Sequence, residues 1–280
     1  MDQAQPKAKG GIGWWVTGAL GCVGLLAAPL LLAFLAVDGI LAFQSIGVTN
    51  FAGSTWGPSQ SLYGMTPLVV GSLATTLLAV LVVGPITVLS VIHLQYFASP
   101  RRQDIGEMVI RVLGGTPSVV IGLLGSVWLL PLFGPSLLSG SLVLALMIMP
   151  LFFLLAWSEL RLLPSSLMEA GVALGLTRSQ CIRQIILPMV TPRLIVALTV
   201  AIARALGEAL AIAMVCGNVP NLPASLTSPV RTLTTTLVLE FEYASGTHNN
   251  VLHLVALTTV LLTVIVCGMT AASYQRRGKQ

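Results

Sequence analysis

Six apolar stretches recur along this 280-residue chain, at about 14–37, 66–92, 107–133, 141–157, 194–216 and 251–272. As a helix, each is long enough to cross a hydrocarbon core of roughly 30 Å. No hydrophilic stretch between them is long enough to bury a core of its own. Only 8% of the residues are charged, where an ordinary soluble domain carries roughly 25%. The expected fold is therefore all-α, a polytopic membrane protein with six transmembrane helices within 13–272 and polar tails at 1–12 and 273–280. The first stretch exceeds the ~7–15 apolar residues of a signal-peptide core, so an uncleaved helix is expected, with a cleavable signal as the alternative.

Charge placement sets the orientation. Of the 14 Lys and Arg residues, Arg231 alone accompanies the segments 38–65, 131–140 and 217–250, and Arg204 lies inside an apolar stretch. All the others accompany the two tails and the segments around 93–111 and 158–193. That asymmetry predicts cytoplasmic termini and a cytoplasmic 158–193 segment. The net charge of +5 is spread over helix ends rather than gathered in a patch, which argues against a nucleic-acid partner. Cys22, Cys181, Cys216 and Cys267 are solitary, with no CxxC and no histidine at ligand spacing, so neither metal nor disulfide is expected. The lysines are Lys7, Lys9 and Lys279, so no GxxxxGK[ST] phosphate cradle exists. No serine or histidine motif supplies a nucleophile and base, and the chain is read as a non-enzyme without catalytic residues.

The 158–193 segment is the least greasy helical run. Ser166 and Glu169 have capping-box spacing, which predicts a helix start there. Leu167, Ala170 and Leu174 recur on one face, and Gly175 offers a left-handed stop. Thr177 and Gln180 repeat the capping-box spacing and predict a second short helix that ends before Pro188. Glu169-Ala170-Gly171, then Gly175, then Ile185 and Leu187-Pro188 resemble, in residue type and spacing, the EAA loop of bacterial ABC importer permeases. Gly171 departs, standing where that family usually has Ala. The resemblance implies that these residues dock into a groove of an ATP-hydrolysing subunit and transmit its closure. The plainer reading is a hairpin that links two membrane helices.

Arg204 and Glu208 lie four apart in the fifth apolar stretch. A charge at mid-helix costs about 2.5–3.5 kcal/mol on insertion scales, so such residues face a cavity or a partner. Ala197, Ala201, Ala205, Ala209 and Ala213 form a small-residue row on one side of the pair, and Ala203, Gly207 and Ala211 another. Neighbouring helices can approach such rows closely. The residues leave two readings open. One is an i,i+4 ion pair that fixes helix packing; the other is a pathway residue for an anion, whose oxygens the planar guanidinium fits. Thr116, Pro117 and Ser118 either start a helix or offer hydroxyls to such a path.

Three further stretches carry a narrower resemblance. RALGEALAIAMVCGN (204–218) and GGTPSVVIGLLG (114–125) are similar to segments of phosphate importer permeases. FAGSTWGPSQSLYGMTPLVVGSLATT (51–76) is similar to the PstC-type subunit in particular. This resemblance implies a type I ABC importer permease in a bacterial inner membrane, moving inorganic phosphate by alternating access. It places Arg204 and Glu208 along the substrate pathway, to which Thr116 and Ser118 are the hydroxyls that the third helix could add. It also implies partners: a second related permease subunit, two cytoplasmic ATP-binding subunits that hold ATP-Mg, and an external phosphate-binding protein. A permease for molybdate or sulfate is the alternative within the class, and a passive channel or scaffold the alternative outside it. Gln95 and Arg111 stand where that subunit usually has acidic residues, which removes negative charge from the ends of the second and third helices.

Overall fold

The structure is a computed structural model that describes residues 12–277. The tail read at 1–12, with Lys7 and Lys9, and Lys279 at the other end fall almost wholly outside the described residues. In chain order the elements begin with α1 (Ile12–Phe51), the short antiparallel strands β1 (Trp56–Gly57) and β2 (Leu62–Tyr63), and α2 (Thr66–Phe97). Next come α3 (Pro100–Gly114), α4 (Ser118–Trp128), α5 (Leu130–Phe133) and α6 (Leu137–Arg161). The docking-like segment supplies α7 (Ser166–Ala173) and α8 (Arg178–Cys181). The chain closes with α9 (Leu187–Leu206), α10 (Leu210–Ala213), α11 (Leu233–Glu240) and α12 (Thr247–Arg277).

Helix α6 is the axis of the bundle. Leu144, Ile148, Phe152, Ala156 and Leu160 recur every four residues and are all buried. Ala79, Val83 and Val91 of α2 pack on them from one side, and Val190, Leu194, Ala197, Ala201 and Ala205 of α9 from the other. The first small-residue row is thus the face of α9 that approaches the core, as its lack of bulk requires. A second cluster lies at one end, where Trp56, Tyr63, Met65 and Leu68 meet Leu233, Val251 and Val255. The β-strand pair is part of this cluster, so this end is named here the β-hairpin end.

Among the described residues, five helices are long and apolar enough to cross a membrane, and six spans result if α3 and α4 count as one broken span. The span count therefore agrees with the hydropathy pattern, while several boundaries do not. Helix α1 runs past the expected end at 37 to Phe51, with a break at Gly47, whose φ is 75°. Asp38 does not stop it, because residues beyond it still pack: a Cβ on Gly39 would lie 3.2 Å from Leu254 Cα on α12. The C-terminal tail read from 273 is the end of α12 as far as Arg277. The expected third helix is not straight. Gly115, Thr116 and Pro117 bend α3 against α4 by 93°, since Pro117 has no N–H to continue the ladder.

The second short helix does not end before Pro188 either. Helix α8 passes through one π turn, Ile182–Ile186, directly into α9. The Leu187 N–H donates to Ile182 O, five residues back. This widened turn carries the helix across a proline that would otherwise break it. The fifth helix, expected to reach 216, stops at Leu206 and resumes only as the short α10.

Candidate functional site

The candidate docking hairpin is built from α7 and α8. The helix start expected from Ser166 and Glu169 is present but not by that box: Ser165 takes the N-cap position and no side-chain cap bond forms. Gly175 does adopt the left-handed turn, at φ 83°. The Leu176 N–H then closes back on Gly171 O at 3.1 Å, in the manner of a left-handed helix cap. The Thr177–Gln180 capping box forms in full. Gly171 is explained by its neighbour. A methyl there would lie 2.5 Å from Cys181 Sγ, which is buried and fills the space an alanine would need.

Glu169 and Ala170 are exposed, as are Val172 and Leu174, the last at 82%. Ile185 and Leu187 turn partly inward and Pro188 outward. The hairpin therefore offers one carboxylate on an uncovered apolar surface at a single end of the bundle. Arg178 ties it to α2 by donating to Tyr96 O at 3.5 Å. Behind it a recess of about 300 Å³ is lined by Gln95, Tyr96, Met168, Glu169 and Arg178. The Gln95 Oε1 is buried there without a hydrogen-bond partner among the described residues.

The second site lies deeper. A recess of about 570 Å³ opens where α3 ends, lined by Arg111, Gly115, Thr116, Met147, Leu154 and Arg204 among others. With a rise of about 1.5 Å per residue, Met147 and Leu154 lie about 15 and 25 Å along α6, whose 25 residues span about 37 Å. The recess is thus near mid-depth of the bundle. Both walls are interrupted helices: the Gly115–Pro117 bend on one side, and on the other the stretch 207–209 between α9 and α10. Irregular backbone at membrane depth is tolerated only inside protein or along a wet cavity. A guanidinium at such depth needs water or a counter-charge.

Arg204 and Glu208 are not brought together. The helix ends between them, and among the described residues no ion pair joins them. Arg204 stays on the last turn of α9, exposed towards the recess. Glu208 turns inward and is buried; its Oε1 accepts from the Ala211 N–H at 3.3 Å, and its carbonyl accepts from Thr234 Oγ1 at 2.6 Å. The carboxylate therefore holds the break rather than the arginine. Thr116 lines the recess, with Oγ1 donating to Val112 O at 3.3 Å, while Ser118 is half-buried and does not line it.

Two charge clusters escaped the sequence reading. Glu107 gathers three donors: Arg111 Nη2 at 2.6 Å, Trp157 Nε1 at 3.0 Å and Arg161 Nη1 at 3.2 Å, with the Arg161 guanidinium 5.2 Å over the Trp157 ring. The i,i+4 spacing of Glu107 and Arg111 was visible; Trp157 and Arg161, on α6, were not. The Arg111–Glu107 pair is open to solvent on the arginine side, 64% exposed, and an exposed i,i+4 pair contributes only ~0.3–0.5 kcal/mol. At the β-hairpin end Glu240 accepts from Trp56 Nε1 at 3.1 Å and from Arg231 Nη1, and its Oε2 lies 3.3 Å from His248 Nε2. Arg231 Nε also donates to Asn218 O at 2.9 Å. Burial first, and the Glu240 carboxylate second, push the neighbouring Tyr63 phenol above its usual range. The few charges of the segment 217–250, Arg231, Glu240 and Glu242, were the available signal.

With that geometry in hand, similar proteins are informative. A probable ABC transporter permease protein of Bacillus subtilis, YqgH, is 33% identical over 268 residues, covering 90% of this chain and 87% of its own. The phosphate transport system permease protein PstC of Pasteurella multocida is 27% identical over 267 residues, covering 85% and 83%. Among solved structures, the inward-facing MetNI methionine ABC transporter superposes with a TM-score of 0.59 at 16% identity, covering 79% of this chain and 99% of the matched one. A bacterial ABC transporter for alginate import gives the same TM-score at 13% identity, covering 93% and 98%. These structural likenesses establish the ABC importer permease fold. The profile of the binding-protein-dependent transport system inner membrane component matches residues 90–279, from the end of α2 through the α7–α8 hairpin and both interrupted helices, and the chain belongs to that family.

Proposed function

We propose that this chain is one of two related permease subunits of an ATP-driven importer that carries inorganic phosphate across the bacterial inner membrane by alternating access. The observation that carries the oxyanion reading is Arg204: a guanidinium with no ion-pair partner among the described residues, facing a mid-depth recess between two interrupted helices. Relatives that are phosphate transport permeases, 27% identical, support phosphate as that oxyanion. Thr116 lines the path beside Arg204, and Glu208 and Ser118 support the breaks that shape it. The exposed face around Glu169, Ala170 and Gly175 docks one of two cytoplasmic ATP-binding subunits, which bind ATP-Mg in place of this chain. An external phosphate-binding protein delivers to the β-hairpin end.

Reconstitution with its ATP-binding subunits, its partner permease and the binding protein tests this directly. Phosphate should stimulate ATP hydrolysis and accumulate in the vesicles, and sulfate and molybdate should do neither. Stimulation by sulfate or molybdate alone would exclude phosphate and leave the permease reading standing. No nucleotide-dependent uptake of any oxyanion would remove the reading altogether. The orientation is checked by cysteines at Ser59 and Gln103 in a background without the native ones. Only the first should react with an impermeant thiol reagent added outside.

A further inference from the structure

Arg111 and Arg204 line the same recess, although one ends α3 and the other ends α9. Its remaining polar wall is Thr116 and the Gly114–Gly115 backbone, and no carboxylate lines it among the described residues. Two guanidiniums line one cavity whose walls carry no carboxylate among the described residues, an arrangement that favours an anion even though Arg111 is already paired with Glu107. The carboxylate paired with Arg111, that of Glu107, sits one turn back on α3 and already accepts from Trp157 and Arg161 through Oε2. Arg111 uses the other oxygen, Oε1, through Nε at 3.0 Å and Nη2 at 2.6 Å. Glu107 therefore stays satisfied on one side when Arg111 leaves, and the exposed pair it gives up is a weak one.

We propose that Arg111 is a second oxyanion-binding residue, which exchanges Glu107 for the anion and closes on it together with Arg204 in the recess beside Thr116. The inference rests on the reading of the chain as an oxyanion permease and adds a residue to its path. A tetrahedral oxyanion presents several oxygens at once, so two guanidiniums arriving from different helices each take a separate edge. Two cations also favour a doubly charged anion over a singly charged one. Glu107 acts as the return partner: it draws Arg111 back once the anion has passed, so the anion is held briefly rather than trapped.

The test uses the complete transporter in vesicles, treated with the arginine reagent phenylglyoxal, with modification at each arginine read by mass spectrometry. Inorganic phosphate, compared with chloride at equal ionic strength, should protect both Arg111 and Arg204, and should leave Arg101 and Arg102 unprotected. In Arg111→Gln, phosphate should protect Arg204 about tenfold less well, the size expected for one lost charge-assisted contact. Arg111→Lys, which keeps the charge without the fork, should fall between the two. If Arg111 only braces Glu107, the Arg111→Gln variant would leave phosphate protection of Arg204 unchanged, and the proposal fails. Protection of Arg204 without Arg111 in the unaltered protein also overturns it, while leaving the phosphate reading intact. If neither arginine is protected, the proposal fails as well; uptake by the same vesicles then shows whether the phosphate reading fails with it.

Discussion

Replacing Glu240 by alanine should open the β-hairpin end of the bundle. The carboxylate accepts from Trp56 and Arg231 and lies 3.3 Å from His248; the three belong to the β-hairpin, the segment preceding α11 and the start of α12. The Trp56 indole N–H loses its only acceptor, at a cost of about 1–3 kcal/mol for a buried donor left unmade. Arg231 loses its counter-charge, which costs about 3–5 kcal/mol when a pair is fully buried. Here its side chain is 16% exposed and its Nε keeps the Asn218 carbonyl, so only about 1–2 kcal/mol of that applies. Together the loss is about 3 kcal/mol, concentrated at one end. Cys216 reports on it: the thiol is buried at the foot of the cluster, the Val230 N–H donates to its carbonyl at 2.9 Å, and Asn218 follows two residues on. In a protein whose other cysteines are replaced, a small neutral thiol reagent should label Cys216 about a hundredfold faster in Glu240→Ala, because local opening governs access. Glu240→Gln keeps an acceptor for Trp56 but no charge for Arg231, and should fall midway. A rate in Glu240→Ala within about threefold of the parent would refute the reasoning.

Three other perturbations follow from the same geometry. Gly175→Val places a branched side chain at φ 83° with open space around it, so the cost of about 1–2 kcal/mol is backbone strain alone; the protein should remain in the membrane yet lose ATPase attachment and uptake, measured by co-purification and transport. Gly171→Ala should cost about 1–3 kcal/mol through the clash with Cys181 Sγ, and Cys181→Ala in the same chain should restore thermal stability; failure of that rescue would show that something other than this contact excludes alanine. Arg204→Gln should stop uptake with expression intact, and adding Glu208→Gln should not restore it, since the structure holds the two apart; uptake above about half the parent rate in the double variant would restore the ion-pair reading.

What was legible followed from composition and short-range chemistry. Hydropathy marks the spans because every buried backbone group must bond within its own helix, and it reports length and apolarity only. It is blind to direction, so the 93° bend at Gly115–Pro117 passed as one continuous helix. Gly175 and the Thr177–Gln180 box were readable because each acts within four residues. The Ser166–Glu169 box obeyed the same spacing and did not form, because Ser165 rather than Ser166 takes the N-cap position and Glu169 is left to solvent. Pro188 was taken as a terminator, since nothing local announces a π turn able to absorb it. The recess was the least legible feature of all. It is assembled from α3, α4, α6 and α9, and no periodicity links Arg111 to Arg204 across that separation.

The π turn before Pro188 makes Arg178–Leu206 a single rod that carries the capping box of the α7–α8 hairpin at one end and Arg204 at the other. At about 1.5 Å per residue its 29 residues reach about 43 Å. Such a rod is a lever. Pivoting by about 10° at mid-length against α6, it swings each end by about 4 Å, in opposite directions. A push on the hairpin therefore needs no relay of side-chain rearrangements to reach the guanidinium: torque on one end is displacement of the other. Had Pro188 broken the helix, the same push would have been spent in a hinge.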